Sequence, residues 1–469
     1  MIEIFFAISG ALVVIFLGLI ILRSKKTIFW ISYILCFTPL GYLSRFFNVK
    51  GPFNLNWFAF FALVALAFGT ALFRINKTYY PRGPVLIYLG IALISVMSML
   101  LNYITPFSVI FPQRGYLMMF AYFALFRTIY EYYDKEDIFS FIVITGILSG
   151  FYAIFQRMVF VTILKIGSPD MVTGFFPADG GFNYFQLICI IILVVYWFQE
   201  KPMKNLPVSV PTALLLIVGS FAFANDKVVF IFLLIIIGAI ITQTGIEVIR
   251  KHLPKLFAGF IFLTIVGIVF SDYQDEAYSS DGGATTAEKM MDIEFYKAYI
   301  FGDESDEGKF AKGGQLKRGA AVVVAFEQIQ KSPFHVLFGR GPGSTSQNSV
   351  RGAEGELEKL FPGWEIGRTA LSWYIAETGI LGMIFQILFI ISIGFWKAPN
   401  ATEEESHFRI IRKTYALFSC MYITFDNLYF LPVMGLLVVV MTYPIPVRKV
   451  KDSGENETET PETELKTIL

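Results

Sequence analysis

Long apolar runs alternate with short polar segments along almost the whole chain. The runs cover residues 4–22, 28–44, 57–74, 84–103, 108–126, 137–158, 183–198, 209–224, 228–244, 256–270, 369–396, 413–426 and 428–446. About 20 apolar residues wound as a helix cross the ~30 Å hydrocarbon layer of a bilayer. A helix also satisfies its own backbone hydrogen bonds there, which an open strand does not. A strand barrel would alternate polar and apolar positions, and these runs do not. The pattern therefore predicts an all-α polytopic membrane protein of about 12–13 transmembrane helices. The first run and the last pair decide between the two counts.

The polar segments carry a second pattern. Basic clusters at Arg23–Lys26, Arg74–Lys77, Arg127–Lys135, Lys201–Lys204, Arg250–Lys255, Lys397 and Arg448–Lys451 fall at alternate ends of successive runs. Lys and Arg mark cytoplasmic ends, so these turns should face inward, with the N-terminus outside and the C-terminus inside. The division that follows is a helical region over 1–270, a large external loop over 271–367, C-terminal helices over 368–447 and a disordered tail over 448–469. The loop is acidic over 272–310. Within it, Ala321, Val322, Ala325, Phe326 and Ile329 recur at helical spacing, predicting an amphipathic helix from Arg318 to Ile329 that ends before Pro333. Such a helix can lie on the outer face as a roof over a membrane-facing cavity.

Composition narrows the function. Of 469 residues, 55% are hydrophobic, and the formal net charge is +1, which points to no nucleic-acid partner. Cys36, Cys189 and Cys420 all lie inside apolar runs and read as core residues. No paired histidine spacing calls for a metal, and no phosphate-cradling loop of the ATPase type is present. The apolar start lacks a preceding basic segment and a small-residue cleavage site, so the first run reads as a retained helix.

Ionisable residues at membrane depth are costly, and outward cations run against the charge bias. The outward set is Arg114, Lys227, Arg318, Arg340, Arg351 and Arg368. Arginine binds phosphate oxygens in a bidentate fork and stays charged at depth. Cations collected at one leaflet therefore suit an anionic lipid headgroup, a diphosphate above all. Each also has a plainer reading. Arg114 could pair with a phospholipid, Lys227 with Asp226, Arg318 could solvate its helix and Arg368 could anchor its span. Arg340 and Arg351 read as solvent-facing loop charges, with Arg340 kept among the substrate-binding candidates. Glu377, well inside its run, needs a partner and is either structural or catalytic. Gly339, Gly341 and Gly343 either form a turn or let backbone approach phosphate.

Three patches resemble the superfamily of bacterial O-antigen ligases and Wzy-type polymerases. Thr173-Gly-Phe-Phe with Asn183 is similar to the opening of its mid-chain helix. Val218-Gly-Ser with Asn225-Asp-Lys227 resembles its hairpin tip. Arg318, Ser332-Pro333 and Gly339-Arg-Gly-Pro-Gly343 resemble its large loop, followed by Glu377-Thr-Gly-Ile-Leu-Gly382 in the next helix. The resemblance spans roughly 170–395 and implies a GT-C-like architecture in the bacterial inner membrane. It implies metal-independent, inverting glycosyl transfer, without a cofactor, from a polyprenyl-diphosphate-linked glycan. Arg318, Arg368, Lys227 and Glu377 would be catalytic; Arg114, Arg340, the three glycines and Asn183 would bind substrate. A chain-length regulator and a flippase are the implied partners. Ligases of the family carry a histidine before the last long helix, whereas this chain has Arg368-Thr369. Polymerases are similar in having an arginine, ten intervening residues and then a glycine, as Arg368 and Gly379 are placed, and as Lys227 and Gly238 are with lysine. A polymerase is thus expected, with a ligase, a flippase for the same lipid-linked glycan, or a peptidoglycan polymerase as alternatives.

Overall fold

The computed structural model describes residues 25–37, 82–102, 119, 133–166, 171–176, 179–225, 228–244, 250–254, 257–258, 261, 316–345, 355–396, 406–426 and 432–442. The expectations for Arg114, Lys227, Arg351, the acidic part of the loop and the tail fall outside these residues, as do several of the apolar runs.

The described chain is helical: α1 (Lys25–Phe37), α2 (Arg82–Leu101), α3 (Lys135–Phe155), α4 (Asp179–Phe198), α5 (Val210–Asn225), α6 (Val228–Ile241), α7 (Arg318–Ile329), α8 (Pro333–Phe338), α9 (Glu356–Leu360), α10 (Ala370–Phe395), α11 (Ser406–Tyr422) and α12 (Pro432–Thr442). A π-helix, Gln156–Ile163, continues α3. Among the described residues, four helical segments are long and apolar enough to cross a membrane: Gly83–Leu101, Lys135–Ile163, Gly181–Phe198 and Ala370–Phe395. Such helices suit a membrane-embedded protein.

Burial sorts these helices. The apolar window of α4 is 94% buried and that of α2 only 33%. A helix apolar on every side belongs in the centre, and α4 packs against α3, α5, α6 and α11. The faces are joined where a glycine admits a neighbour. A Cβ at Gly90 of α2 would meet the Phe385 ring of α10 at 2.5 Å, one at Gly146 of α3 would meet Cys189 Sγ of α4 at 2.7 Å, and one at Gly394 of α10 would meet Ala416 Cβ of α11 at 2.6 Å. Lipid tails are as apolar as leucine, so close van der Waals approach at small residues is what holds such helices together.

The same contacts give relative direction. Gly83 lies by Trp396 and Gly90 by Phe385, while Ser98 reaches Glu377, so α2 and α10 are antiparallel. Tyr184 bonds Ser419 at 2.6 Å and Tyr196 meets His407, so α4 and α11 are antiparallel too. One end of the bundle thereby gathers basic residues. Lys204 Nζ lies 3.4 Å from Asp134 and 3.4 Å from Asp137. Lys251 pairs with Glu200 at 2.8 Å, and Arg412 donates to the Trp396 carbonyl at 2.6 Å. The charge of Asp137 first, then the hydrogen bond that Lys204 donates to Asp134, raises the pKa of Lys204 above the usual lysine value. The opposite end carries the loop around 171–176, the layer α7–α9 and the start of α10.

The expected amphipathic helix is α7, with its predicted bounds. Its packed side differs from the sequence reading in one respect. Ala320, Ala321, Val324, Ala325, Gln328 and Ile329 are buried, but Phe326 is 39% exposed and Val323 54%. Pro333 does not merely end α7: it opens α8 as its first residue, where a missing N–H costs nothing.

Candidate functional site

The site end is organised by a break in α10. Gly379, in the middle of that helix, has φ 67° and ψ −166°, a region open essentially to glycine alone. The break frees carbonyls one turn earlier, and the turn after α8 takes them. Arg340 N–H donates to the Ala376 carbonyl at 2.8 Å, and Gly341 N–H donates to that of Glu377 at 3.1 Å. Ser98 Oγ of α2 donates to the same Glu377 carbonyl at 3.0 Å, and Asn102 Nδ2 donates to the Gly339 carbonyl at 3.1 Å. Gly339 is the counterpart of Gly379, at φ 70° and ψ −172°. A Cβ at Gly379 would sit 2.5 Å from Leu337 C and O and from Gly339 N, and one at Gly339 would meet the backbone of Glu377 and Thr378. The two glycines let two backbones touch. That is the task of Gly339 in the fold, and Gly341 and Gly343, at φ 96° and 84°, complete the turn.

Glu377 closes this turn from within the helix. Its side chain is buried at 1% exposure. Thr345 Oγ1 donates to its Oε1 at 2.7 Å and Thr345 N–H at 3.4 Å; the Gly343 backbone and the Trp373 side chain face the same carboxyl. A carboxylate taken out of water needs such donors. Glu377 thus fastens the glycine turn to α10.

Arg340 lies inside this layer rather than facing solvent. It is 7% exposed. Its Nε and Nη2 both donate to the Gln328 carbonyl at 3.1 Å, near the C-terminus of α7. Its Nη1 pairs with Glu356 Oε1 at 2.9 Å. A cation belongs at a helix C-terminus, where carbonyls lack partners.

Arg318 and Arg368 lie elsewhere in the same layer. Arg318 Nε donates to the Phe425 carbonyl at 2.7 Å, with the guanidinium 4.1 Å from the centre of the Phe425 ring. Arg368 Nη1 donates to the Leu316 carbonyl at 2.8 Å, two residues before Arg318. Ala370 N–H donates to Asp426 at 3.0 Å and Leu371 N–H to Ile423 at 2.9 Å. The start of α7, the start of α10 and the end of α11 therefore converge, and both arginines are half-buried there. Phe232 of α6 packs on Phe425 at 5.3 Å between ring centres. Beside Arg368, burial raises the Glu365 pKa and Arg368 opposes that rise.

Asn183 is buried on α4, next to Tyr184, on the side of the 171–176 loop. That loop is pinned by Gln156, whose Oε1 accepts from Thr173 and Gly174 N–H at 3.0 and 2.9 Å. Arg157, absent from the candidates above, follows Gln156 in the π-helix and is only 2% exposed. π-turns inside helices concentrate at functional sites. An arginine at the far end of an apolar run was a signal available in the sequence. Thr345, Ser98 and Asn102 were missed for a different reason: only the break at Gly379 gives them a role.

His335 supplies a test of this layer. Burial first, then the Arg340 guanidinium, lowers its pKa below the usual histidine value, and Glu356 opposes this. A lowered pKa in the folded state means the unfolded chain binds more protons just below pH 6.5. Stability from this residue is full above that pH and is lost on acidification. Thermal unfolding in detergent should show wild type losing more melting temperature between pH 7.5 and 5.5 than His335→Gln. Equal losses would remove His335 from the account.

No family model, curated protein or solved structure matches this chain.

Proposed function

We propose that the protein is a bacterial envelope polysaccharide polymerase, joining polyprenyl-diphosphate-linked repeat units at the outer face of the inner membrane. The observation that carries this reading is the convergence of Arg318 and Arg368, fifty residues apart in sequence, at one end of an apolar bundle. Each guanidinium is held by a backbone carbonyl, through Nε in Arg318 and Nη1 in Arg368. Fixing Nε sets the direction of the fork before any ligand arrives, and a fixed fork matches phosphate oxygens.

The reaction asks for that arrangement. A hydroxyl of the acceptor glycan attacks the anomeric carbon of the donor; the bond from that carbon to the diphosphate oxygen breaks, and its electrons leave on the diphosphate. The acceptor proton passes to solvent. Cations placed in advance beside the leaving group stabilise the charge that develops on it, usually the largest catalytic term. Positioning of two lipid-anchored substrates supplies much of the rest. In this reading Glu377, Arg340 and the glycine turn act by holding the layer in place.

The test is incubation of the purified full-length protein with lipid-linked repeat units. Ladders of increasing length on the polyprenyl carrier are expected. Transfer of the glycan to lipid A core or protein would make the chain a ligase instead. Movement of intact substrate across a vesicle wall without a new glycosidic bond would make it a flippase.

A further inference from the structure

Part of the layer that the sequence places in the large external loop has a surface that does not suit water. On α8, Phe334 is 63% exposed and Leu337 45%; on α7, Val323 is 54% and Phe326 39%. A helix of twelve residues is about 18 Å long, too short to span the hydrocarbon layer. Its large apolar side chains nevertheless point outward.

The neighbours of α8 indicate what covers it. It packs against both α2 and α10, and Asn102, just past the end of α2, bonds the Gly339 carbonyl just past the end of α8. The outer face of α2 is an apolar strip: Leu86, Leu89, Leu93 and Val96 are exposed, ending in Leu100 at 60% and Leu101 at 40%. The outer face of α10 is another, through Ile384, Leu388 and Ile391. Both helices are long and apolar enough to cross a membrane, so these strips are the faces a bilayer would cover. α8 lies against the end of that surface and extends it. Lys331, exposed between α7 and α8, has the long stem and charged head that sit at a lipid–water boundary.

We infer that α8 and the outward face of α7 are seated in the lipid at the membrane interface, as an in-plane continuation of the α2 face. This segment of the loop is then a membrane anchor. It holds the Gly339–Thr345 turn at the lipid boundary through the bonds to Asn102, Ala376 and Glu377. The inference does not depend on the glycan reading, since it concerns only the bilayer.

Spin labelling of the full-length protein in phosphatidylcholine liposomes tests it. Single cysteines are placed at Phe334, Leu337, Val323 and Phe326, with Leu93→Cys as the lipid reference and Lys204→Cys as the water reference. Cys36, Cys189 and Cys420 are replaced by alanine. Should that background fail to fold, replacing Cys420 alone suffices, because Cys36 and Cys189 are buried. The ratio of collisions with oxygen to collisions with a water-soluble nickel chelate is expected to lie well above the Lys204 value, and at or below the Leu93 value, at all four positions. A ratio matching Lys204 at 334 and 337 would place α8 in water and overturn the inference. Low collision with both reagents would mean that protein covers the face, and would overturn it equally.

Discussion

Gly379→Ala is expected to destabilise the protein strongly. Two costs combine. Its φ of 67° with ψ of −166° is nearly closed to alanine, and holding a side chain there costs about 1–3 kcal/mol. The new Cβ would also lie 2.5 Å from Leu337 C and O and Gly339 N. These are backbone atoms, which cannot rotate aside, and overpacking of this kind costs about 1–3 kcal/mol more. The expected loss is about 2–6 kcal/mol, a large part of a folded protein's total stability. Gly339→Ala should behave alike, since its Cβ would enter the backbone of Glu377 and Thr378. The double variant should lose less than the sum, because the first separation of the two backbones relieves the second. Gly238→Ala is the control: nothing lies within 4 Å of its Cβ position, and alanine favours a helix over glycine. Thermal unfolding in detergent checks the series. Gly379→Ala melting with Gly238→Ala would show that the break in α10 is not what joins it to α8.

That break also marks the limit of what the sequence made legible. Apolar runs predicted helices over 84–103, 183–198, 209–224, 228–244 and 369–396, and the observed helices lie within a few residues of each, because burial in lipid or core is a property of many residues at once. The spacing of Ala321, Ala325 and Ile329 located α7 for the same reason. Boundaries set by local hydrogen bonding were not legible. The run 413–426 is a helix from Ser406 to Tyr422, begun by a polar stretch, His407 to Lys413, that no hydropathy window favours. The helix in the run 137–158 continues past that run as a π-helix to Ile163. Glu377 and the glycines stood out by residue type. Their association did not, since Gly339 and Gly379 have meaning only as a pair forty residues apart. Arg340 read as a surface charge because its partners, the Gln328 carbonyl and Glu356, are brought to it by the fold alone.

Replacing Arg318 or Arg368 is expected to stop chain elongation while the protein persists in the membrane. The structure dictates which replacement tests this cleanly. Arg318 donates to the Phe425 carbonyl just past α11 and covers the Phe425 ring, so Arg318→Ala also loses about 1–2 kcal/mol of helix-end and hydrogen-bond stabilisation. Arg318→Lys keeps a cation beside that helix end but loses the planar fork. If the fork holds a diphosphate oxygen as charge develops, each lysine variant should elongate roughly 100-fold more slowly, the scale for losing one preorganised donor. Accumulation and melting temperature should stay near wild type. Arg368→Lys isolates the same property at the Leu316 carbonyl. An arginine at 368 stays protonated and so binds anions without accepting a proton from a hydroxyl, which suits a site facing diphosphates on donor and acceptor alike. Arg368→His should therefore not convert the product into glycan transferred to a lipid A core. The checks are polymer length on gels and the carrier attached to it. Near-normal ladders in both lysine variants would take the diphosphate role away from these arginines and leave them as ties between α7, α10 and α11.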